Sequence, residues 1–272
     1  MGKKSAMKRA KVGDVEVISL TDGGIQMPAE QIYPEAGSRI ESYRHHLTDD
    51  GQARMQVNCF LLRADGRIVL VDTGMGPEAS GALLSELRAA GAEPKDMDFV
   101  VFTHLHGDHT GWNLERESGK PRFSAARYLV SRADWEHARA AIPESASFRR
   151  DVAPLEALGC LELVEGGHRI TPSVATVATP GHTPGHLCIE ISSRGQRGCI
   201  LGDLVFTLAD LAEPGWRVVF DGDHAAAVRT RLAALERLES EPSLVGATHL
   251  PGPGLGHFVS VEGRHTWRAL GA

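Results

Sequence analysis

Residues 104–109 read His-Leu-His-Gly-Asp-His, directly after an apolar, β-branched run that ends at Thr103. This junction constrains the fold more than any other stretch, because a buried strand must end where four metal-ligating side chains begin. Imidazole and carboxylate are donors that suit zinc and similar first-row metals. His104 and His106 alternate as strand-end neighbours do, so both side chains project to one side of the backbone. Asp108 and His109 follow on the turn, aimed at a second point, so six residues offer half-shells for two metals. A polar turn with satisfied histidines is the plain alternative; three His and one Asp at this spacing, after an apolar run, weigh against it.

Further donors stand in matching settings. Residues 179–186 read Thr-Pro-Gly-His-Thr-Pro-Gly-His, a rigid Pro/Gly-punctuated turn that holds His182 at a strand end. Asp203 closes the apolar segment before it, and His249 follows Ala247 and Thr248 in the same way. A lone strand-end His or Asp is usually a cap or turn residue. Three of them beside the hexapeptide form a constellation whose pieces support each other.

The chain has 272 residues, ample for a substantial core in one large domain or two small ones. Its 29 basic and 35 acidic residues leave a net charge of −6, which argues against a nucleic-acid partner. Lys3, Lys4, Lys8, Arg9 and Lys11 cluster at the start, where residues 1–12 read as a frayed tail. No apolar segment of signal-peptide type follows them, and no stretch approaches the roughly 20 apolar residues of a membrane span. Cys59, Cys160, Cys188 and Cys199 lack metal-site or redox spacing and read as buried, reduced thiols, so a cytoplasmic protein is expected.

Strand patterns fall in two sets, at 14–20, 56–62, 67–72 and 99–103, then at 174–178, 186–192, 197–202 and 244–248. Hairpin turns are expected at Ala64-Asp65-Gly66 and Arg194-Gly195. Helices are expected over 78–90, from Ser131 with Asp134 as a capping-box partner, and after Asp223 with Leu232, Leu235 and Leu238 on one face. Two strand-rich halves that each carry helices suggest two sheets face to face with helices outside. Residues 27–55 show no clear period and suggest a segment that covers a pocket or contacts a second subunit.

With these motifs in place, the chain resembles the metallo-β-lactamase-fold hydrolase superfamily. The matching pieces are Val-Leu-Val-Asp-Thr-Gly at 69–74, the hexapeptide, residues 180–186, Gly202-Asp203 and His249. Asp221-x-Asp223 before a helix and the Gly/Pro-rich tail from His249 to His257 are similar to the methyl parathion hydrolase-like and lactonase branch. The resemblance implies an α/β fold, an αββα sandwich of two facing mixed sheets with helices outside. It implies that His104, His106 and His182 hold one metal, Asp108, His109 and His249 the other, with Asp203 bridging both. Asp72 would stand behind the ligands and orient one of them. In the family only the first His of residues 181–186 binds metal, so His186 is expected to be structural, and His257 is expected off the metals.

The chemistry so implied is hydrolysis by a hydroxide shared between two divalent ions, zinc first, with manganese, iron or cobalt suited to the same donors. Asp203 and Asp108 are the catalytic carboxylates. No Gly-x-Ser-x-Gly elbow is present to suggest a serine nucleophile. Trp112, Trp135 and Phe206, near the ligand segments, are candidates for an apolar pocket taking an uncharged ester, lactone or organophosphate. Many lactonases of the family carry a tyrosine where Phe206 stands, and organophosphate-hydrolysing relatives often carry an aromatic where Gly252 stands. A glyoxalase II-like thioesterase and a metal-binding sensor with little turnover are the rival readings. A small-molecule substrate is expected, with no nucleic acid or membrane partner; a homodimer follows family habit.

Overall fold

The computed structural model describes residues 8–141 and 145–271. The first sheet places β1 (Arg9–Val12), β2 (Val15–Pro28), β3 (Gln52–Ala64), β4 (Arg67–Val71), β5 (Phe99–Val101), β6 (Arg127–Ser131) and β7 (Leu161–Val164) side by side in chain order. β1 to β4 pair antiparallel and β4 to β7 parallel. The second sheet, also in chain order, holds β8 (Arg169–Thr171), β9 (Val174–Ala178), β10 (Leu187–Ser193), β11 (Gln196–Ile200), β12 (Ser243–Gly246), β13 (Leu255–Val261) and β14 (Arg264–Ala269). Here β11 and β12 are parallel and the other pairs antiparallel.

Strand alternation builds the layers. In β2, β3 and β4 the side chains of Val17, Leu62, Val69 and Val71 point between the sheets, where they meet Ile189, Ile191 and Ile200. Their chain neighbours Ile18, Leu61 and Leu70 point the other way, onto Leu83, Leu87 and Trp135 of the outer helices. Both faces of these strands are buried, which is why the sequence reads as nearly continuous apolar runs. Helix His224–Ser240 covers the outer face of the second sheet through Leu235 and Leu238, against Cys188, Leu201 and Val245. The architecture is therefore the αββα sandwich.

Both expected hairpins form, with Asp65 and Gly66, and Arg194 and Gly195, all at positive φ as tight antiparallel turns require. Several expectations are corrected. Residues 9–12 of the expected frayed tail pair with β2 as a strand; residues 1–7 lie outside the described residues. The helix expected over 78–90 begins only at Leu83, because the Asp22 carboxylate accepts the Met75 and Leu83 N–H groups and folds the intervening turn onto itself. Leu232 is 43% exposed, so the buried stripe of its helix runs instead through Ala227, Arg231, Leu235 and Leu238.

The segment 27–55 is structured: a helical turn Ala29–Ile32 and a 3₁₀ stretch Gly37–His46 join β2 to β3. Ile32, Tyr33, Ile40 and Tyr43 pack on Phe206, Trp216 and Val218, the stretch following Asp203. Among the described residues no helix is long and apolar enough to cross a membrane. All four cysteines are free, three buried and Cys160 half-buried.

Candidate metal centre

The strand ends converge on one rim. β4 delivers Asp72, β5 leads to residues 104–109, β11 to Asp203 and β12 to His249, while His182 stands on the loop from β9 to β10. Gly181 makes that loop possible, since a Cβ there would stand 2.3 Å from the backbone of Ala227 at the start of the covering helix. Asp72 adopts a left-handed backbone at φ 59. Its carboxylate accepts from the Thr103 N–H and hydroxyl, each at 2.8 Å, and from His109 Nδ1 at 2.9 Å, and these bonds hold the unusual conformation.

The candidate ligands form two clusters, His104, His106, His182 and Asp203 in one, and Asp108, His109 and His249 in the other. In the first, His104 Nε2 lies 3.0 Å from His106 Nδ1 and 3.2 Å from His182 Nε2. Donors held about 2.0–2.1 Å from a tetrahedral ion stand roughly 3.3 Å apart, so these spacings are those of ligands around one centre. Asp203 divides its oxygens. Oδ2 faces His182 Nε2 at 3.5 Å and His104 Nε2 at 3.7 Å, whereas Oδ1 stands 3.1 Å from Nε2 of both His109 and His249. Asp108 Oδ2 completes the second cluster, 3.7 Å from each of those nitrogens.

The residues fit metal ions by a further observation. His109 Nε2 and Asp203 Oδ1 are buried with no hydrogen-bond partner, which is costly unless a cation satisfies them. The opposite ring nitrogens are anchored: His249 Nδ1 donates to the Gln56 carbonyl at 2.6 Å, and His104 Nδ1 to the Thr103 hydroxyl at 3.2 Å. The anchors fix the tautomers, so the Nε2 lone pairs face the clusters.

The electrostatics differ between the two clusters. Burial, reinforced by neighbouring imidazoles, lowers His104 and brings His106 down to about 4, keeping these rings neutral. Burial acts to lower His109 and His249 as well, but the carboxylates of Asp203 and Asp108 outweigh it and raise both. Burial works to raise Asp203, and the imidazoles of His249, His109 and His104 overcome it, holding the carboxyl well below its usual range.

Residues 53–249 match the Metallo-beta-lactamase superfamily. The chain belongs to that superfamily. Among curated superfamily relatives, N-acyl homoserine lactonases of Bacillus cereus and a Bacillus species are 29% and 30% identical over 175 and 173 residues. Each alignment covers 55% of this chain and 64% of the relative, so the chain spans just under two thirds of the length of these relatives. Of solved structures, the hydrolase AbOPH of the beta lactamase superfamily aligns with a TM-score of 0.85 at 25% identity, over 100% of this chain and 99% of its own. The dizinc quorum-quenching lactonase AidC, in complex with a product, aligns at 0.83 and 23% identity over 98% of both chains and shares the fold.

Around this superfamily site the pocket candidates separate. Phe206 stands against the centre, stacked on His249 at 5.7 Å and edge-on to His182 at 5.4 Å. Trp112 does not line the pocket: it is buried in the first sheet's outer core, with Nε1 donating to Asp22 at 3.0 Å. Trp135 is likewise core, packed on Phe148 at 5.3 Å. Its helix turns Asp134, His137, Ala138 and Ala141 to a cavity of about 480 Å³ beside His106 and His182, whereas Trp135 lies to the side of that face, in the core. Leu105, Phe220 and Ala226 add apolar walls.

Two histidines and one aspartate have roles the pattern left open. Both nitrogens of His186 are engaged, Nε2 accepting from the Asp203 N–H at 3.0 Å and Nδ1 donating to Thr179 Oγ1. His257 donates to the Ser243 carbonyl at 2.8 Å, away from both clusters. Asp134 makes no capping box; its oxygens accept from Thr183 Oγ1 and the Gly185 N–H and so clamp the loop that carries His182. Asn58, which donates to the Thr248 carbonyl at 3.0 Å beside His249, escaped notice as one polar residue in an apolar strand. Arg231 had a signal, a basic residue in register with buried Leu235 and Leu238.

Proposed function

We propose that the chain is a dinuclear metal-dependent hydrolase of an uncharged ester, with a lactone as the first candidate and an organophosphate ester as the second. The observation that carries it is the division of the Asp203 carboxylate between two histidine clusters whose buried atoms lack partners. His104, His106 and His182 would hold one ion and Asp108, His109 and His249 the other, with Asp203 facing both sets. Two divalent ions, zinc by the character of the donors, supply when bound a water acidified to near neutral pH and a Lewis acid for the substrate oxygen.

The chain's own groups do the rest. Asp203 keeps both sites at one separation. Asp108, whose side chain is 24% exposed, has access to water and is placed to take and return a proton. Phe206 shields the flank of His249 and His182 from water. The cavity beside His106 and His182, lined by Leu105, Ala138, Ala141 and Phe220, suits an apolar acyl or ester group rather than a charged one. The names of the curated relatives favour a lactone. A homodimer is the proposed assembly.

The test measures metal content on one preparation, then rates towards an ester, a lactone, a phosphotriester and a thioester, with Asp203→Asn alongside. Two ions per chain and metal-dependent lactone or ester turnover are expected, with loss of an ion and of most turnover in the variant. Absence of metal-dependent turnover on every substrate would overturn the proposal.

A further inference from the structure

We propose that Asp221, backed by the buried Arg231, is the positioning residue for His182, and that Arg231 links this metal ligand to Asp203. The inference rests on the dinuclear reading above. His109, His249 and His104 each have the ring nitrogen turned away from the clusters bound to an acceptor: Asp72, the Gln56 carbonyl and Thr103. Among the buried ligand histidines His182 is the exception. Its Nδ1 is buried with no hydrogen-bond partner, and it faces Asp221 Oδ1 at 3.6 Å, an oxygen equally buried and equally without a hydrogen bond. A donor and an acceptor left opposite one another in the interior are each costly. A ring movement of about 0.7 Å closes the gap to an ordinary hydrogen bond.

Capping the covering helix is not the task of Asp221. The residue that caps helix His224–Ser240 is Asp223, whose Oδ1 accepts from the Ala226 N–H at 3.0 Å. The backbone holds Asp221 and His182 in register, since the Gly222 N–H donates to the His182 carbonyl at 3.0 Å. The other Asp221 oxygen, Oδ2, is paired with Arg231 Nη2 at 3.0 Å.

Arg231 is 1% exposed and gives Asp221 a buried partner in a place where a lone carboxylate would be costly. Its remaining nitrogens donate to the Leu204 carbonyl at 2.7 Å and the Pro214 carbonyl at 3.1 Å. Leu204 directly follows Asp203. One buried guanidinium therefore braces the carboxylate behind His182 and the peptide next to Asp203. It fixes two ligand directions from a helix that supplies no ligand itself. Asp221 stands to His182 as Asp72 stands to His109.

The experiment titrates the metal-free full chain with zinc and with cobalt(II) against a chromogenic chelator, for the wild type, Asp221→Asn and the double variant Asp221→Leu/Arg231→Leu. Asparagine keeps size and leaves Arg231 an acceptor. The double variant replaces the ion pair by apolar groups and strands no charge, which guards against misfolding. Expected in Asp221→Asn is a 10–100-fold loss of affinity for one ion only, with the second bound as in the wild type and an altered cobalt spectrum for the weakened site; the double variant, which also removes the brace beside Asp203, weakens that ion at least as much and the second ion less. Wild-type affinity for both ions in either folded variant, or equal weakening of both in Asp221→Asn, would overturn the inference and leave the pair as scaffold. A wild-type chain that binds no metal would instead overturn the dinuclear reading and this inference with it.

Discussion

The backbone N–H of Asp203 donates to Nε2 of His186 at 3.0 Å, while Nδ1 of the same ring donates to Thr179 Oγ1 at 2.8 Å. A histidine that looks in sequence like an additional ligand thus holds the main chain of the residue shared by both clusters. Replacing it leaves the Asp203 N–H buried and unpaired, at a cost of about 1–3 kcal/mol. His186→Phe should lower the unfolding midpoint in urea accordingly and leave less than the full complement of metal after dialysis. Wild-type stability together with full metal content would show that the bond orients nothing.

Gly202 turns the chain from β11 into Asp203 with φ at 57, and a Cβ there would stand 2.6 Å from Thr103 Cβ and 2.7 Å from His186 Nε2. Gly202→Ala should therefore cost about 1–3 kcal/mol from the backbone alone, with crowding added. Gly66→Asn, at φ 76 with nothing within 4 Å of the added carbon, is the control and should cost far less. Equal denaturation midpoints for the two variants would contradict the close-approach account.

Trp112→Phe tests the assignment of that indole to the core. The change deletes the donor to the Asp22 carboxylate, which retains N–H groups from Met75, Gly76 and Leu83. A loss of about 1–3 kcal/mol in stability with an unchanged KM is expected. A raised KM at unchanged stability would return Trp112 to the pocket.

Tyr43 predicts the alkaline behaviour of the segment between β2 and β3. Its hydroxyl donates to Glu213 at 2.8 Å, and burial, followed by that carboxylate, pushes the phenol from 10 up to about 12. The unfolded chain ionises this group first, so its contribution is complete below pH 10 and falls away as the pH rises through 10 towards 12. Tyr43→Phe should flatten the stability profile in that window. Parallel profiles for the two proteins would remove Tyr43 as the cause.

Legibility in the sequence followed the range of the interactions. The hexapeptide, the turn around His182, Asp203 and His249 stood out because each is a donor placed just past an apolar strand, a local signal. The hairpins at Asp65-Gly66 and Arg194-Gly195 were legible for the same reason. By contrast, β1, β6, β7, β8, β13 and β14 carry no such signal, since short or half-exposed strands such as Arg264–Ala269 offer little apolar contrast.

The sequence by itself determined the candidate donors and two strand-rich halves that suggest facing sheets with helices outside, because strand periodicity and ligand spacing are properties of neighbouring residues, while the αββα assignment came with the resemblance. Only the tertiary structure decided that Trp112 and Trp135 belong to the core, that Asp134 clamps a loop instead of capping its helix, and that Asp221 and Arg231 stand behind His182. Each of these depends on which distant segment packs against a given face. That packing is selected by the burial of the whole chain, and no local pattern encodes it.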